Sequence, residues 1–234
     1  MVTDEPTLMK NLISLTVLAI AASTATAGAQ SLNGVELGLT GGYAGGLSGE
    51  AFVHAPNVVG PVGVKVGVAV TRSADAINDS NDGTTDGSGP FTFGDLKQNI
   101  GATESGSQTV VSLDGTYSLG EVAPGVDTTL YAGGRYGMFR STEDYGADGN
   151  VTYSSNSFGI GAGVMASYAL SGNISLVGDL GVDHFFKSSI TTGGSNTNAG
   201  GTYNTGDAGY SVYDDRFVRP GTNFKARVGV KATF

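Results

Sequence analysis

Charged side chains inside segments that are otherwise apolar or glycine-rich are the residues here that could do chemistry. Ten stand out: the acids Glu36, Glu50, Asp114, Asp179 and Asp183, and the bases Lys65, Arg135, Lys225, Arg227 and Lys231. Each falls on one parity of a segment whose other parity is apolar, as in Val62-Gly63-Val64-Lys65-Val66-Gly67-Val68. Balanced acids and bases on a shared face can neutralise each other away from water, where an unpaired charge is costly. Kept apart, the same residues would line a water path for ions. Scattered surface charges of a soluble sheet would show neither the balance nor the shared face.

Other chemistry finds less support. Nucleophilic catalysis needs a base and an orienting group within reach. The histidines are His54 and His184, and there is no cysteine. His54 lies near the end of one segment and His184 near the opposite end of another, so they cannot share a site. Asp183 precedes His184 directly, and neighbours in a strand point to opposite faces. No enzyme is expected. The missing cysteine also excludes a disulfide scaffold and a thiolate metal site. Oxygen ligands cluster at Asn78-Asp79-Ser80-Asn81-Asp82-Gly83, with Asp86 beyond, and calcium takes such ligands. Asp79, Asp82 and Asp86 are therefore calcium candidates. Counted from Asn78, however, Gly89 stands where an EF-hand has its bidentate Glu, and Asp, Asn and Gly are also plain turn formers. No cofactor is required.

The elements that must position the ten charges are strands. From Asn223 to Phe234 the chain alternates without a break. Phe224, Ala226, Val228, Val230, Ala232 and Phe234 fall on one face, and Lys225, Arg227 and Lys231 on the other. Period two is the strand period. Turn signals divide the chain into eight such segments: 35–43, 47–55, 62–70, 108–119, 128–140, 157–170, 174–186 and the C-terminal one. Connections after the second, fourth and sixth are short. Those after the third, fifth and seventh are long, at about 73–107, 141–156 and 187–222, and the composition of the first and last suggests flexible surface. With the apolar face outward, Phe52, Tyr131 and Met165 are large inner fillers. Tyr43, Tyr117, Tyr136, Phe158, Tyr168, Phe186, Phe224 and Phe234 lie outside, several at strand ends.

Residues 1–29 read as a secretory signal peptide. Met9-Lys10-Asn11 precedes the apolar run Leu12–Ala22, and small residues end at Ala27-Gly28-Ala29. Cleavage after Ala29 is expected, with Ala27 as a rival, and Met9 is the expected initiator because Asp4, Glu5 and Pro6 suit an n-region badly. The apolar run is shorter than the ~20 residues of a spanning helix. About 205 residues, 30–234, then form one domain. Net charge is -9, which argues against nucleic-acid binding.

An apolar outer face, a polar inner face and an even strand count define a transmembrane β-barrel. The chain resembles the small outer-membrane β-barrel family, which includes the OmpA membrane domain and the OmpX group. Its glycine-rich strands and acidic loops are most similar to the small barrels of the Thermus–Deinococcus group. Phe234 resembles the C-terminal insertion signal of such proteins, although Ala232 stands where that signal often has an aromatic. The resemblance implies an all-β, eight-stranded, antiparallel up-and-down barrel in the cell outer membrane. It also implies outer-membrane lipid, the barrel-assembly machinery and other cell-envelope or surface-layer proteins as partners. The expected role is structural or surface interaction in support of envelope integrity, with a salt-bridged interior. A narrow ion-permeable channel is one alternative, and a secreted soluble β-sandwich another.

Overall fold

The alternating segments pair into one antiparallel sheet in the computed structural model, which describes residues 34–73, 75–81, 91–196, 200–217 and 221–234. Strands β1 (Glu36–Ala44), β2 (Leu47–Val59) and β3 (Val62–Ser73) come first. Helix α1 (Phe93–Ile100) follows, then β4 (Thr103–Ala123), β5 (Val126–Asp144), β6 (Asn150–Ser171) and β7 (Ile174–Phe185). The chain continues through β8 (Ile190–Gly194), β9 (Gly201–Tyr203) and α2 (Tyr210–Arg216), and closes with β10 (Thr222–Thr233).

Eight strands form a ring in the order β1-β2-β3-β4-β5-β6-β7-β10, closed where β1 meets β10. A closed ring leaves no unpaired edge, and it excludes the open sandwich. Along β3 the buried residues are Gly63, Lys65, Gly67, Ala69 and Thr71, while Val62, Val64, Val66 and Val70 are exposed. Leu39 is 62% and Val228 68% exposed, while Lys65 is 2% exposed. This is the inverse of a water-soluble protein, and lipid is the solvent that favours it. No described helix is long and apolar enough to cross a membrane, so any crossing by the described residues is by strands.

The tight β1–β2 hairpin depends on Gly45 and Gly46, both at positive φ (70° and 157°). A two-residue hairpin needs that region of backbone space, which glycine enters at no steric cost. A Cβ at Gly46 would also meet the Arg72 carbonyl oxygen at 2.3 Å.

The expected bounds of several elements need correction. β2 runs on to Val59, β4 spans Thr103–Ala123, β5 spans Val126–Asp144 and β6 begins at Asn150. The expected 141–156 loop is therefore largely strand, with Thr142 opposite Thr152 and a short 3-10 turn at Gly146–Asp148. Ladder hydrogen bonds outweigh the polar composition that suggests a loop, because β5 and β6 satisfy each other's backbone. The 73–107 connection contains α1, and the 187–222 connection contains β8, β9 and α2. β8 pairs with the outer end of β6, Tyr153 opposite Thr192. These pieces bury an apolar cluster of Ile77, Phe93, Val151, Tyr153, Ile190 and Phe217, among others, with Phe139 and Phe185 of the ring beneath it. The long-loop end thus carries a packed cap where flexible surface was expected. The expected signal peptide, residues 1–29, and the candidate initiator Met9 lie outside the described residues.

Candidate functional site

Small residues make the interior wide enough for large ones. A Cβ on Gly161 would sit 2.0 Å from Asp183 Oδ1 and 2.6 Å from Arg135 Nε. One on Gly163 would sit 2.2 Å from the Tyr131 hydroxyl, and one on Gly38 would sit 2.1 Å from the Phe52 ring. Several long inner side chains, among them Phe52, Tyr131 and Arg135, therefore occupy volume that a facing glycine leaves empty, as close packing of an interior demands.

All ten inner charged residues are buried and fall into three networks. At the terminal end, Lys231 Nζ donates to Glu36 Oε1 at 2.5 Å, and His54 Nδ1 lies 2.7 Å from Glu36 Oε2. His54 Nε2 meets Thr116 Oγ1 at 3.0 Å. In the second network, Glu50 accepts from Lys65 Nζ at 2.8 Å and from Arg227 Nη1 at 2.6 Å. Arg227 also donates to Ser48 Oγ and lies 3.9 Å from Asp179 Oδ2. The Tyr131 hydroxyl donates to Asp179 Oδ1 at 2.5 Å. In the third, Arg135 donates to Asp114 at 2.6 Å and Asp183 at 2.7 Å, and Lys225 joins Asp183 at 3.1 Å. Lys65 and Lys225 both lie 5.1 Å from the centre of the Tyr131 ring, within cation–π range. Phe52, Tyr131, Met165 and Val177 fill the space between.

Reasoning from sequence missed His54 and Val177 as parts of this interior. His54 shares the parity of Glu50 and Phe52, so a rule applied to all polar residues would have found it.

A second charged centre lies in the cap, above the apolar belt. Arg216 of α2 donates to Glu143 of β5 through Nε at 2.5 Å and Nη2 at 3.0 Å. Tyr145 and Tyr153 also donate to Glu143, at 2.6 and 3.1 Å. Burial, then the Glu143 charge, pushes the hydroxyl pKa of Tyr145 and Tyr153 far above the usual tyrosine range. For Arg216 burial acts downward, but the bond and charge contact with Glu143 prevail and its pKa is raised. Glu104 joins the other side of the cap by accepting from the backbone N–H groups of Ala76 and Ile77. The 141–156 loop expectation hid Glu143; extending the expected 128–140 segment by three residues would place it on the inner face with Arg135.

Of the calcium candidates, Asp79 is held by Lys97 at 2.6 Å. Lys97 also bonds Glu104, and its ammonium fills the space a cation would take beside Asp79. Burial acts to lower the Lys97 pKa, but the bonds to Asp79 and Glu104 raise it on balance. Asp82 and Asp86 lie outside the described residues. No metal-type cluster occurs among the described residues. His184 is exposed at the outer end of β7, where it bonds Thr222, at the other end of the barrel from His54.

Phe234 is 57% exposed on the belt face. Its backbone N–H donates to Val35 and its carbonyl accepts from Gly34, so the last residue helps seal the ring.

A closed ring with an apolar outside and a charged inside defines an outer-membrane β-barrel, and comparison with solved structures agrees. A major outer membrane protein of Thermus thermophilus is 31% identical, with a TM-score of 0.77 over 86% of this chain and 98% of that one. This chain belongs to that family of small outer-membrane β-barrel proteins, and its location is the outer membrane. CarO of Acinetobacter baumannii (13% identity, 86% of this chain and 98% of that one, TM-score 0.43) also aligns. Neisserial surface protein A does too (12% identity, 86% and 94%, TM-score 0.37). No family model and no curated protein matches the chain.

Proposed function

We propose that this protein is a plugged barrel, a structural and surface-contact component of the outer membrane that supports envelope integrity and catalyses no reaction. One observation carries the reading: every inner carboxylate lies within ion-pair or hydrogen-bond distance of a base or a hydroxyl inside the lumen. Such pairs are neutral as sets, and an eight-stranded interior is just wide enough for side chains to fill. The apolar cap lies across the long-loop end, which faces outward in barrels of this kind. The belt takes outer-membrane lipid, the C-terminal strand is the element offered to the barrel-assembly machinery, and the cap is the surface for other envelope or surface-layer proteins. The two histidines at opposite ends supply no paired base and nucleophile.

A second reading, a narrow ion-permeable channel, draws on three inner atoms. Asp114 Oδ2, Arg135 Nη2 and Asp179 Oδ2 have no hydrogen-bond partner in the protein, and buried polar atoms of that kind favour internal water. Planar-bilayer recording of detergent-extracted, boil-shifting protein separates the two. The plug predicts no stable conductance. A steady conductance that changes on replacing Lys65 or Arg135 by Ala would establish the channel.

A further inference from the structure

Cations are scarce in this chain, 12 against 21 acids, and among the described residues nearly all are committed. Lys65, Lys97, Arg135, Lys187, Arg216, Lys225, Arg227 and Lys231 each bond a carboxylate. Arg72 and Arg140 are the exceptions among the described residues: both are exposed, and neither side chain has a hydrogen bond or ion pair. In a chain with a large excess of acid, two unpaired arginines need an explanation.

Their placement supplies one. Arg72 of β3 is opposite Ser107 of β4, and Ser107 is opposite Arg140 of β5. The three residues form one cross-strand row on the outer wall, with the arginine Cα atoms two strand spacings apart, roughly 10 Å. Ser107 is exposed between them. The row lies directly above the lipid belt at its long-loop end, one alternate position beyond Val70, Thr109 and Met138. That is headgroup depth, and a guanidinium fork matches phosphate geometry.

We infer that Arg72, Ser107 and Arg140 form a binding site for the phosphate of an anionic outer-leaflet lipid. The side chains are long enough to converge on one phosphate over Ser107, whose hydroxyl adds a third donor. The apolar columns beneath the row take the acyl chains, which selects a lipid over a soluble anion. The site stands on the outer wall whether or not the lumen conducts.

Native mass spectrometry of the full detergent-extracted protein tests it, with dimyristoyl phosphatidylglycerol and dimyristoyl phosphatidylcholine as probes. Variants R72Q, R140Q and R72Q/R140Q are compared with K187Q, which removes an exposed cation elsewhere at the same end. The boil shift checks that each is folded. The wild type should retain the anionic lipid over the zwitterionic one. The double variant should bind it roughly thirty-fold more weakly, at about one charge-contact increment per arginine, and K187Q should behave as wild type. Equal retention by the double variant, no preference between the two lipids, or an equal loss in K187Q would overturn the site.

Discussion

Arg135 of β5 joins Asp114 of the adjacent β4 to Asp183 of β7, two strands away, with bonds of 2.6 and 2.7 Å. This tie spans the lumen and is independent of the backbone ladder. Removing one member of a buried pair leaves a charge with no compensation, at a cost of about 3–5 kcal/mol. R135M should therefore lower the unfolding free energy of the barrel by that order, read as a lower urea midpoint. R135M/D114N should recover part of the loss, because Asp183 keeps Lys225. Equal midpoints for wild type and R135M would show that the tie contributes nothing.

Gly161 tests the packing rule. Its missing Cβ leaves the space in which Asp183 and Arg135 meet, and overpacking of this kind costs about 1–3 kcal/mol. G161A should be destabilised in that range. Gly134 faces outward with nothing within 4 Å of a Cβ, so G134A should be close to neutral. The measurement is again the urea midpoint, read by the boil shift.

The cap should open before the barrel. R216A leaves Glu143 buried without its guanidinium, and E143Q weakens the same bond while keeping its shape. Limited proteolysis of both variants should cut within the cap segments, R216A faster, and leave a fragment that still shifts on boiling. Cleavage no faster than in wild type would place the cap's stability in its apolar cluster alone.

Alkali should open the cap as well. Burial, then the hydrogen bond with Tyr203, pushes the Tyr213 pKa from 10.0 to about 12. A folded value above the unfolded one means that the stabilisation is complete below pH 10 and is lost as pH rises through about 12. Protease sensitivity of the cap should rise across that window, while Y213F should lack this step. A rise of the same size and midpoint in Y213F would remove Tyr213 as its cause.

Phe234 completes the ring through its backbone and presents its ring to the belt. F234A should reduce the yield of boil-shifting protein in the membrane fraction several-fold, while the purified variant refolds in detergent to the wild-type form. Equal membrane yield would show that the terminal ring is dispensable for assembly.

The ring was legible in the sequence because most wall residues obey one rule, apolar toward lipid and polar or small toward the lumen, with Phe52, Tyr131 and Met165 as large inner fillers. Lys65 among valines and Lys225, Arg227 and Lys231 in the last strand carry that rule with no need of tertiary knowledge. The pairings were not legible. Parity assigns Arg135, Asp114 and Asp183 to one face, but which atoms meet depends on sheet closure and on facing glycines such as Gly161. The cap was less legible still. Ser, Thr, Asn and Gly around 141–156 and 187–222 suggest surface loops, and Glu143 and Arg216 lie 73 residues apart. Their contact arises from the ring bringing the end of β5 beneath α2, a long-range effect that no local pattern encodes.

The matching of Phe52, Tyr131 and Arg135 to facing glycines acts as a check on assembly. If β6 slid by one residue against β5, Ile160 or Ala162 would turn inward toward Arg135, and the glycines would turn to lipid. If it slid by two, Met165 would meet the Tyr131 hydroxyl where Gly163 belongs. A one-residue slip therefore removes the clearance beside Arg135, and a two-residue slip in that direction brings a steric collision. The lumen rejects its own near-misses, so the backbone ladder, which pairs equally well in any register, does not have to choose.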